Sequence, residues 1–171
     1  VATASLSNGI CGGFTYTDAK VAETATATSY AYTGVNAKCY KFRYTVKNTL
    51  GISATYGDTN ITKIDTTPPS TPGTPTTTVL YSYTGTFIVS WSAASDPESG
   101  LSYYYLAQSV NFGNYSPAPT GNNPPDGKVN APSTSWTTAN LAEAGYRYTV
   151  RAYNNPNVIS GLSADSASII V

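Results

Sequence analysis

The sequence contains no histidine and no methionine, and only two of its 171 residues are cysteine. The absence of histidine excludes histidine acid–base catalysis, histidine-containing catalytic triads and histidine-bound zinc. Two cysteines are too few for a four-cysteine metal site within one chain. Most enzyme chemistry is therefore excluded, and we predict that the chain is not an enzyme.

Charge is scarce as well. Nine basic and nine acidic side chains make up 11% of the chain and cancel to a net charge of zero, whereas an average domain has roughly 25% charged residues. The chain thus lacks the electrostatic attraction that supplies most nucleic-acid affinity and that draws basic proteins to anionic membranes. No apolar run approaches the roughly 18–20 residues that cross a bilayer. We expect neither a nucleic-acid partner nor membrane insertion.

The residues that are abundant favour β-structure. The chain has 26 Thr, 19 Ser, 15 Tyr and 13 Asn, and 40% of its residues are hydrophobic. Threonine, tyrosine, valine and isoleucine fit the pleated surface of a sheet, and no segment shows a helical period. Even the alanine-containing stretch Val21–Ala27 is interleaved with threonine and predicts a strand. We therefore predict an all-β fold.

A proline-rich stretch separates two halves. Pro68, Pro69, Pro72 and Pro75 fall within fourteen residues, and proline favours an extended, semi-rigid backbone. We predict an immunoglobulin-like domain over residues 1–66, a Pro- and Thr-rich linker over 67–77 and a second domain over 78–171. The predicted architecture is two tandem antiparallel β-sandwiches.

The first half contains a segment with clear alternation. Along Cys39–Lys47, Tyr40, Phe42, Tyr44 and Val46 fall on one face, and the basic residues and Thr45 on the other. A period of two predicts a half-buried strand in an antiparallel sheet. Asn48–Gly51 then forms a turn, and Asn8-Gly9 predicts a hairpin between Val1–Leu6 and Ile10–Thr17.

The second half repeats this pattern. Tyr146–Asn154 alternates, with Tyr146, Tyr148, Val150 and Ala152 predicted to point inward. Further strands are predicted at Thr86–Trp91, Leu101–Gln108, Ser135–Ala139 and Ser166–Val171. Several short strands separated by Gly, Pro and Asn turns are typical of a β-sandwich.

This second half resembles a fibronectin type III domain over residues 76–171. The resemblance rests on Pro75, Trp91, Leu141, Tyr146, the run 148–154, Ser160 and Ser163. It implies that Trp91 and Leu141 have structural roles and that Tyr146 hydrogen-bonds back to the preceding corner. The long stretch from Asn111 to Ser133 departs from the family pattern.

The first half resembles the immunoglobulin-like repeats of large microbial surface proteins. The matching features are the strand Cys39–Val46, the turn Asn48–Gly51 and the exit Asp65–Pro68. A seven-stranded sandwich needs about 100 residues, and this half offers only 66. We expect a reduced sandwich, or one whose opening strands lie upstream or come from a neighbour.

Cys11 and Cys39 are the only cysteines. An even count in a helix-poor, Ser/Thr/Tyr-rich chain favours a disulfide and an oxidising compartment, with two separate buried thiols as the alternative. Cys39 shares its parity with Lys41 and Arg43, which predicts a bridge at the periphery.

Three acidic residues are candidate ligands for a metal ion. Asp96 and Glu98 flank Pro97 in a predicted loop, and with Asp65 they offer oxygen ligands for calcium. The alternative is a solvated turn in which Asp96 accepts backbone hydrogen bonds. We predict no other cofactor.

The aromatic residues also leave two interpretations open. Trp136 and the tyrosines suit stacking against sugar rings, but their alternating positions equally favour packing within the fold. Trp136 is the candidate ligand-facing aromatic.

We expect a non-catalytic structural module of an extracellular or cell-surface microbial protein. Its partners are then copies of itself or neighbouring domains of a larger surface protein. It acts as a spacer, or as a subunit of a filament or surface layer that assembles through strand edges, with Val1–Leu6 as the candidate donor strand. The alternative is an adhesin or carbohydrate-binding accessory module with a glycan partner.

Overall fold

The computed structural model describes residues 1–17, 26–57, 60–118 and 126–171, so most of the predicted strand Val21–Ala27 lies outside the described residues. All regular secondary structure in these ranges is β. No helix in them is long and apolar enough to cross a membrane. The chain divides into two compact units, Val1–Thr66 with Pro97–Ser99, and Thr67–Asp96 with Gly100–Val171.

The first unit is built on one antiparallel sheet and one hairpin. Its strands are β1 (Ala2–Ser7), β2 (Ile10–Cys11), β3 (Thr15–Tyr16), β4 (Lys38–Lys41), β5 (Arg43–Lys47), β6 (Ser53–Gly57) and β7 (Thr62–Ile64). The sheet has the order β2-β1-β4-β7, with β3 also pairing with β1, and β5 pairs with β6 alone.

The turn at Asn8-Gly9 forms as the sequence predicts. Both residues have positive φ, 48° for Asn8 and 73° for Gly9, as the two central residues of a tight hairpin turn require. The turn sets β1 against β2 with Ser7 opposite Ile10.

β1 is an interior strand of this sheet. It pairs with β4 on one edge and with β2 and β3 on the other, and Ala2, Ala4 and Leu6 are buried. Both edges of β1 have partners within the chain, and the role of Val1–Leu6 as a donor strand stays a prediction.

The alternating segment Cys39–Lys47 does not form one strand. It breaks at Phe42 into β4, which lies between β1 and β7, and β5, which pairs only with β6. Tyr40 is buried, but every residue of β5 is exposed. The predicted half-buried strand is thus correct for β4 and wrong for β5, whose apolar face no described residue covers.

The second unit is a sandwich of two antiparallel sheets. Its strands are β8 (Thr76–Thr77), β9 (Ile88–Ser90), β10 (Leu101–Val110), β11 (Tyr115–Pro117), β12 (Lys128–Asn130), β13 (Ser135–Thr137), β14 (Gly145–Asn154) and β15 (Ile169–Ile170). One sheet has the order β11-β10-β14-β15, with β12 also on β10, and the other has the order β13-β9-β8.

The core of this sandwich lies between the two sheets. Phe87, Val89 and Trp91 from the smaller sheet and its flank pack in one buried cluster with side chains of the larger sheet, Tyr104, Leu106, Tyr146, Tyr148, Val150 and Ala152. The predicted inward residues of β14 are thereby confirmed. Thr149, which the same alternation places on the opposite face, is buried as well, so this part of β14 is covered on both faces.

Residues 67–77 belong to the second unit and do not form a free spacer. Ser70 N donates to Ser95 O at 2.9 Å and Gly73 N to Ser92 O at 3.1 Å, and the segment ends as β8. Pro69, Pro72 and Pro75 are buried. An extended, proline-rich segment suits the edge of a sheet as well as a linker, and here it lies along the sandwich.

Candidate functional site

The most unusual surface of the described chain is the hairpin formed by β5 and β6. Asn48 closes its turn, since its Oδ1 accepts hydrogen bonds from Leu50 N at 3.0 Å and Ile52 N at 2.9 Å. Asn48 N also donates to Ile52 O at 3.0 Å, and Gly51 has a φ of 81°. The predicted turn at Asn48–Gly51 is therefore present, and it fixes the register of the strands that follow.

That register gives the hairpin two different faces. Tyr44 lies opposite Tyr56, and Val46 lies opposite Ala54, so all four side chains share one face, to which Ile52 adds by parity. The other face carries polar and basic residues with a glycine, namely Arg43, Thr45, Lys47, Ser53, Thr55 and Gly57. We name the apolar side, made of Tyr44, Val46, Ile52, Ala54 and Tyr56, the hairpin face.

The hairpin face is open to solvent. The exposed fractions are 64% for Tyr44, 53% for Val46, 67% for Ile52 and 52% for Tyr56. The rings of Tyr44 and Tyr56 stack with centroids 5.1 Å apart, and across the polar side the hydroxyls of Thr45 and Thr55 lie 2.9 Å apart. An isolated two-stranded hairpin is only marginally stable in water, and contiguous exposed apolar surface marks interaction sites. The hairpin face is therefore the leading candidate for a binding surface.

Cys11 and Cys39 form a disulfide with a Cα–Cα distance of 5.9 Å, which confirms the predicted bridge. The bridge is not peripheral, however. Cys39 is fully buried and packs with Ala4 and Leu6, while Cys11 lies at the margin of this small core. The parity argument failed because Cys39 and Tyr40, which lie on opposite faces of β4, are both buried.

Three residues on which the fibronectin type III resemblance rests make structural contacts in the second unit. Trp91 is buried, and its ring meets that of Tyr104 edge-on at 5.5 Å. The Tyr146 hydroxyl donates to Ala142 O at 2.9 Å, which ties the connection before β14 to the strand. Leu141 packs against the core, and its N–H donates to Gly85 O at 3.2 Å.

The three calcium candidates have different surroundings. Asp96 is buried in the second unit, where its Oδ1 accepts from Gly100 N and its Oδ2 from Asn154 Nδ2, each at 3.0 Å. Asp65 is buried and Glu98 half-buried, and both count with the first unit. The geometry at Asp96 fits the turn interpretation, although the carboxylate is buried. Calcium binding stays a prediction.

Trp136 contacts the core of the second unit. It is half-buried on β13, packs against the core of the sandwich, and its ring centroid lies 6.4 Å from that of Tyr148. This position fits the packing interpretation, since the alternation of β13 turns the ring toward the larger sheet. The role of Trp136 as a ligand-facing aromatic stays a prediction.

A different aromatic residue lies on an open cavity. The cavity has a volume of about 420 Å³ and is lined by Tyr83, Thr84, Gly85, Asn140, Leu141, Glu143 and Val171. Tyr83 is fully exposed. Its lone position between β8 and β9 offers no periodic signal in the sequence, which is why sequence reasoning missed it.

Burial raises the pKa of several tyrosines of the second unit, among them Tyr148 and Tyr115. Burial raises the pKa of Tyr148 above its usual value of 10.0, and Tyr146 adds to the rise. Burial, with a hydrogen bond to Asp165, raises the pKa of Tyr115 to about 12. Both hydroxyls stay neutral near neutral pH, where Tyr115 bonds to Asp165 and Tyr148 acts as a packing group.

No protein-family model and no curated protein matches the chain. Among solved structures, the FN1–FN3 domains of chicken contactin (CNTN1) match 61% of this chain with a TM-score of 0.50 and 20% identity, and the match spans 33% of that chain. A module of human cardiac titin, A71, matches 60% of this chain and 92% of its own, with a TM-score of 0.44 and 22% identity. The contactin match shows a shared fold, that of fibronectin type III domains.

Proposed function

We propose that the chain is a non-catalytic structural module of an extracellular or cell-surface microbial protein. It serves as a spacer or scaffold, or as a subunit of a filament or surface layer that assembles through β-strand edges. The observation that carries this proposal is the hairpin of β5 and β6, whose outer edges pair with no other strand in the described ranges.

Two features support an extracellular setting. The disulfide between Cys11 and Cys39 is of the kind that persists in oxidising compartments and is rare in the cytosol. The fibronectin type III-like fold of the second unit is a common architecture of cell-surface domains.

The backbone of β6 offers groups for strand pairing. The bond from Asn48 N to Ile52 O makes these two residues a hydrogen-bonded pair, and such pairs alternate along an antiparallel ladder. The pairs of Val46 with Ala54 and of Tyr44 with Tyr56 therefore bond inward. The N–H of Thr55 points away from β5, where it can receive a strand from another chain.

The second unit, by contrast, protects one edge of its larger sheet. Beyond β14, Ser160, Ser163 and Ser166 donate backbone hydrogen bonds to Ala152, Val150 and Tyr148. This extended segment covers the strand edge, as natural proteins do to prevent unwanted pairing. Assembly through edges therefore favours the first unit.

The test is a single substitution on the outer edge. Thr55→Pro removes the outward N–H without removing a backbone hydrogen bond of the hairpin, although the side-chain bond from Thr55 to Thr45 is lost as well. We expect assembly of the full chain, followed by light scattering and electron microscopy, to be lost. Thr55→Ala also loses the side-chain bond to Thr45 but keeps the N–H, and it serves as the matched control. If Thr55→Pro assembles like the wild type, assembly through this edge is contradicted.

A glycan-binding role is the second candidate, favoured by Tyr83 at the open cavity. An exposed aromatic ring beside the polar side chains of Asn140 and Glu143 suits a sugar, which offers both an apolar face and hydroxyls. On a glycan array, Tyr83→Ala should abolish binding while Tyr81→Ala, which alters an exposed tyrosine outside the cavity lining, should retain it. Absence of binding by the wild type would contradict this candidate.

A further inference from the structure

We propose that the hairpin face is a self-recognition surface, which packs against the hairpin face of a second copy of this chain. The inference rests on the proposed assembly function and adds to it a face-to-face contact that is distinct from pairing at strand edges. Together the two hairpins would form a small four-stranded sandwich with a dry apolar interior.

The first argument is that the hairpin has only two strands and an apolar face that is open to solvent. Sheets gain independent stability from three or more strands with a covered hydrophobic face. β5 and β6 have only each other, and the four large side chains of the hairpin face are at least half exposed. The polar side is already complete, since Thr45 and Thr55 bond to each other there.

The second argument is the distribution of side-chain size. The stacked Tyr44 and Tyr56 lie at the end of the hairpin far from the turn, and the smaller Val46, Ala54 and Ile52 lie toward the turn. A two-fold axis between two hairpins, perpendicular to their strands, sets each tyrosine pair over the smaller side chains of the other copy. Large groups then meet small ones on both sides, as the self-complementary interface of a symmetric dimer requires.

The third argument is charge. Arg43 and Lys47 both lie on the polar side, so face-to-face packing buries no charge and brings no basic side chains of the two copies into opposition. The hairpin face itself contains no ionisable group except the tyrosine hydroxyls, whose polar ends reach solvent at the rim.

The area of the hairpin face determines how tightly two copies are expected to associate. Five side chains cover less than the roughly 800 Å² per partner that stable complexes bury. A single pair of copies should therefore associate weakly and depend on concentration, while many copies in one array reinforce each contact through high local concentration.

The test compares two acidic substitutions on opposite sides of one strand. Val46→Asp places a charge in the hairpin face and should weaken self-association, measured by sedimentation velocity from micromolar to millimolar chain, by at least about tenfold. Thr45→Asp places the same charge on the polar side and should leave association unchanged. A wild type that stays monomeric throughout, or two variants that associate equally, would overturn the proposal.

A second measurement does not depend on the folding of any variant. In a mixture of isotope-labelled and unlabelled wild-type chain, intermolecular NOEs should connect the Tyr44 ring to Val46 and Ala54 methyl groups of the other copy. Association without these contacts would overturn the face-to-face arrangement. If Thr55→Pro abolishes assembly and Val46→Asp does not, edge pairing stands and this inference fails; the reverse result favours the face over the edge.

Discussion

Ser163 and Val150 are joined by two hydrogen bonds that run in opposite directions. Ser163 N donates to Val150 O, and Val150 N donates to Ser163 Oγ, each at 3.0 Å. The serine hydroxyl thus takes the place of the backbone carbonyl that a neighbouring strand would offer. Ser160 makes the same pair of contacts with Ala152, and Ser166 makes them with Tyr148.

This relationship predicts that Ser163→Ala destabilises the second unit. Val150 N is buried and loses its acceptor, which should lower the free energy of unfolding by about 1–3 kcal/mol. Urea denaturation followed by tryptophan fluorescence reports the change, because both tryptophans lie in this unit. Ser116→Ala, at an exposed position of β11, is the control. Equal effects of the two substitutions would contradict the role of the serine.

For two tyrosines of β14, the structure predicts that substitution by phenylalanine has different effects on stability. Tyr146→Phe removes the hydrogen bond to Ala142 O and should cost about 0.5–1.5 kcal/mol of stability. The hydroxyl of Tyr148 is buried and has no hydrogen-bond partner among the described residues, so Tyr148→Phe should be neutral or stabilising. Urea denaturation of both variants checks this, and a larger loss for Tyr148→Phe would contradict the structure.

The raised tyrosine pKa values predict a loss of stability at high pH. Tyr148 and Tyr115 ionise near their ordinary value of 10.0 in the unfolded chain but at higher pH in the folded chain, Tyr115 at about 12. The folded state therefore binds more protons above pH 10.0, so stability is constant below this pH and falls as pH rises through it. Denaturation at successive pH values should show a smaller fall for Tyr148→Phe than for the wild type, and an equal fall in both would contradict this prediction.

The contacts of Asp96 predict a structural and calcium-independent role. Asp96→Ala leaves the Gly100 N–H without its side-chain acceptor and removes one of the two acceptors of Asn154 Nδ2, which keeps Thr67 O. This loss should cost about 1–3 kcal/mol. Adding a chelator should leave the melting temperature of the wild type unchanged. If the chelator lowers it in the wild type and not in Asp96→Ala, calcium binding at Asp96 is supported and our expectation is wrong.

The sequence predicted the second unit well because alternation and burial agree there. Tyr146, Tyr148, Val150 and Ala152 follow a period of two in a strand whose inner face is fully covered. The same period placed Tyr44 and Val46 on one face correctly. A period states which residues share a face, but whether that face is covered depends on strands far along the chain.

Tertiary packing also explains the differences between prediction and structure at the proline-rich segment and at the candidate sugar-stacking residues. Buried prolines at 69, 72 and 75 line a sandwich edge, and the same proline pattern serves an edge strand or a linker. Trp136 and Tyr83 are both plausible sugar-stacking residues by composition, but only the tertiary packing buries the first and exposes the second.

The most direct test of the account is hydrogen exchange, measured residue by residue along β6 in dilute and in concentrated solutions of the full chain. The Thr55 amide points outward and has no partner strand within the described ranges of a single copy. It should therefore exchange rapidly when dilute and become protected on assembly. Equally fast exchange of the Thr55 amide at both concentrations, in a sample that has assembled, would contradict the account.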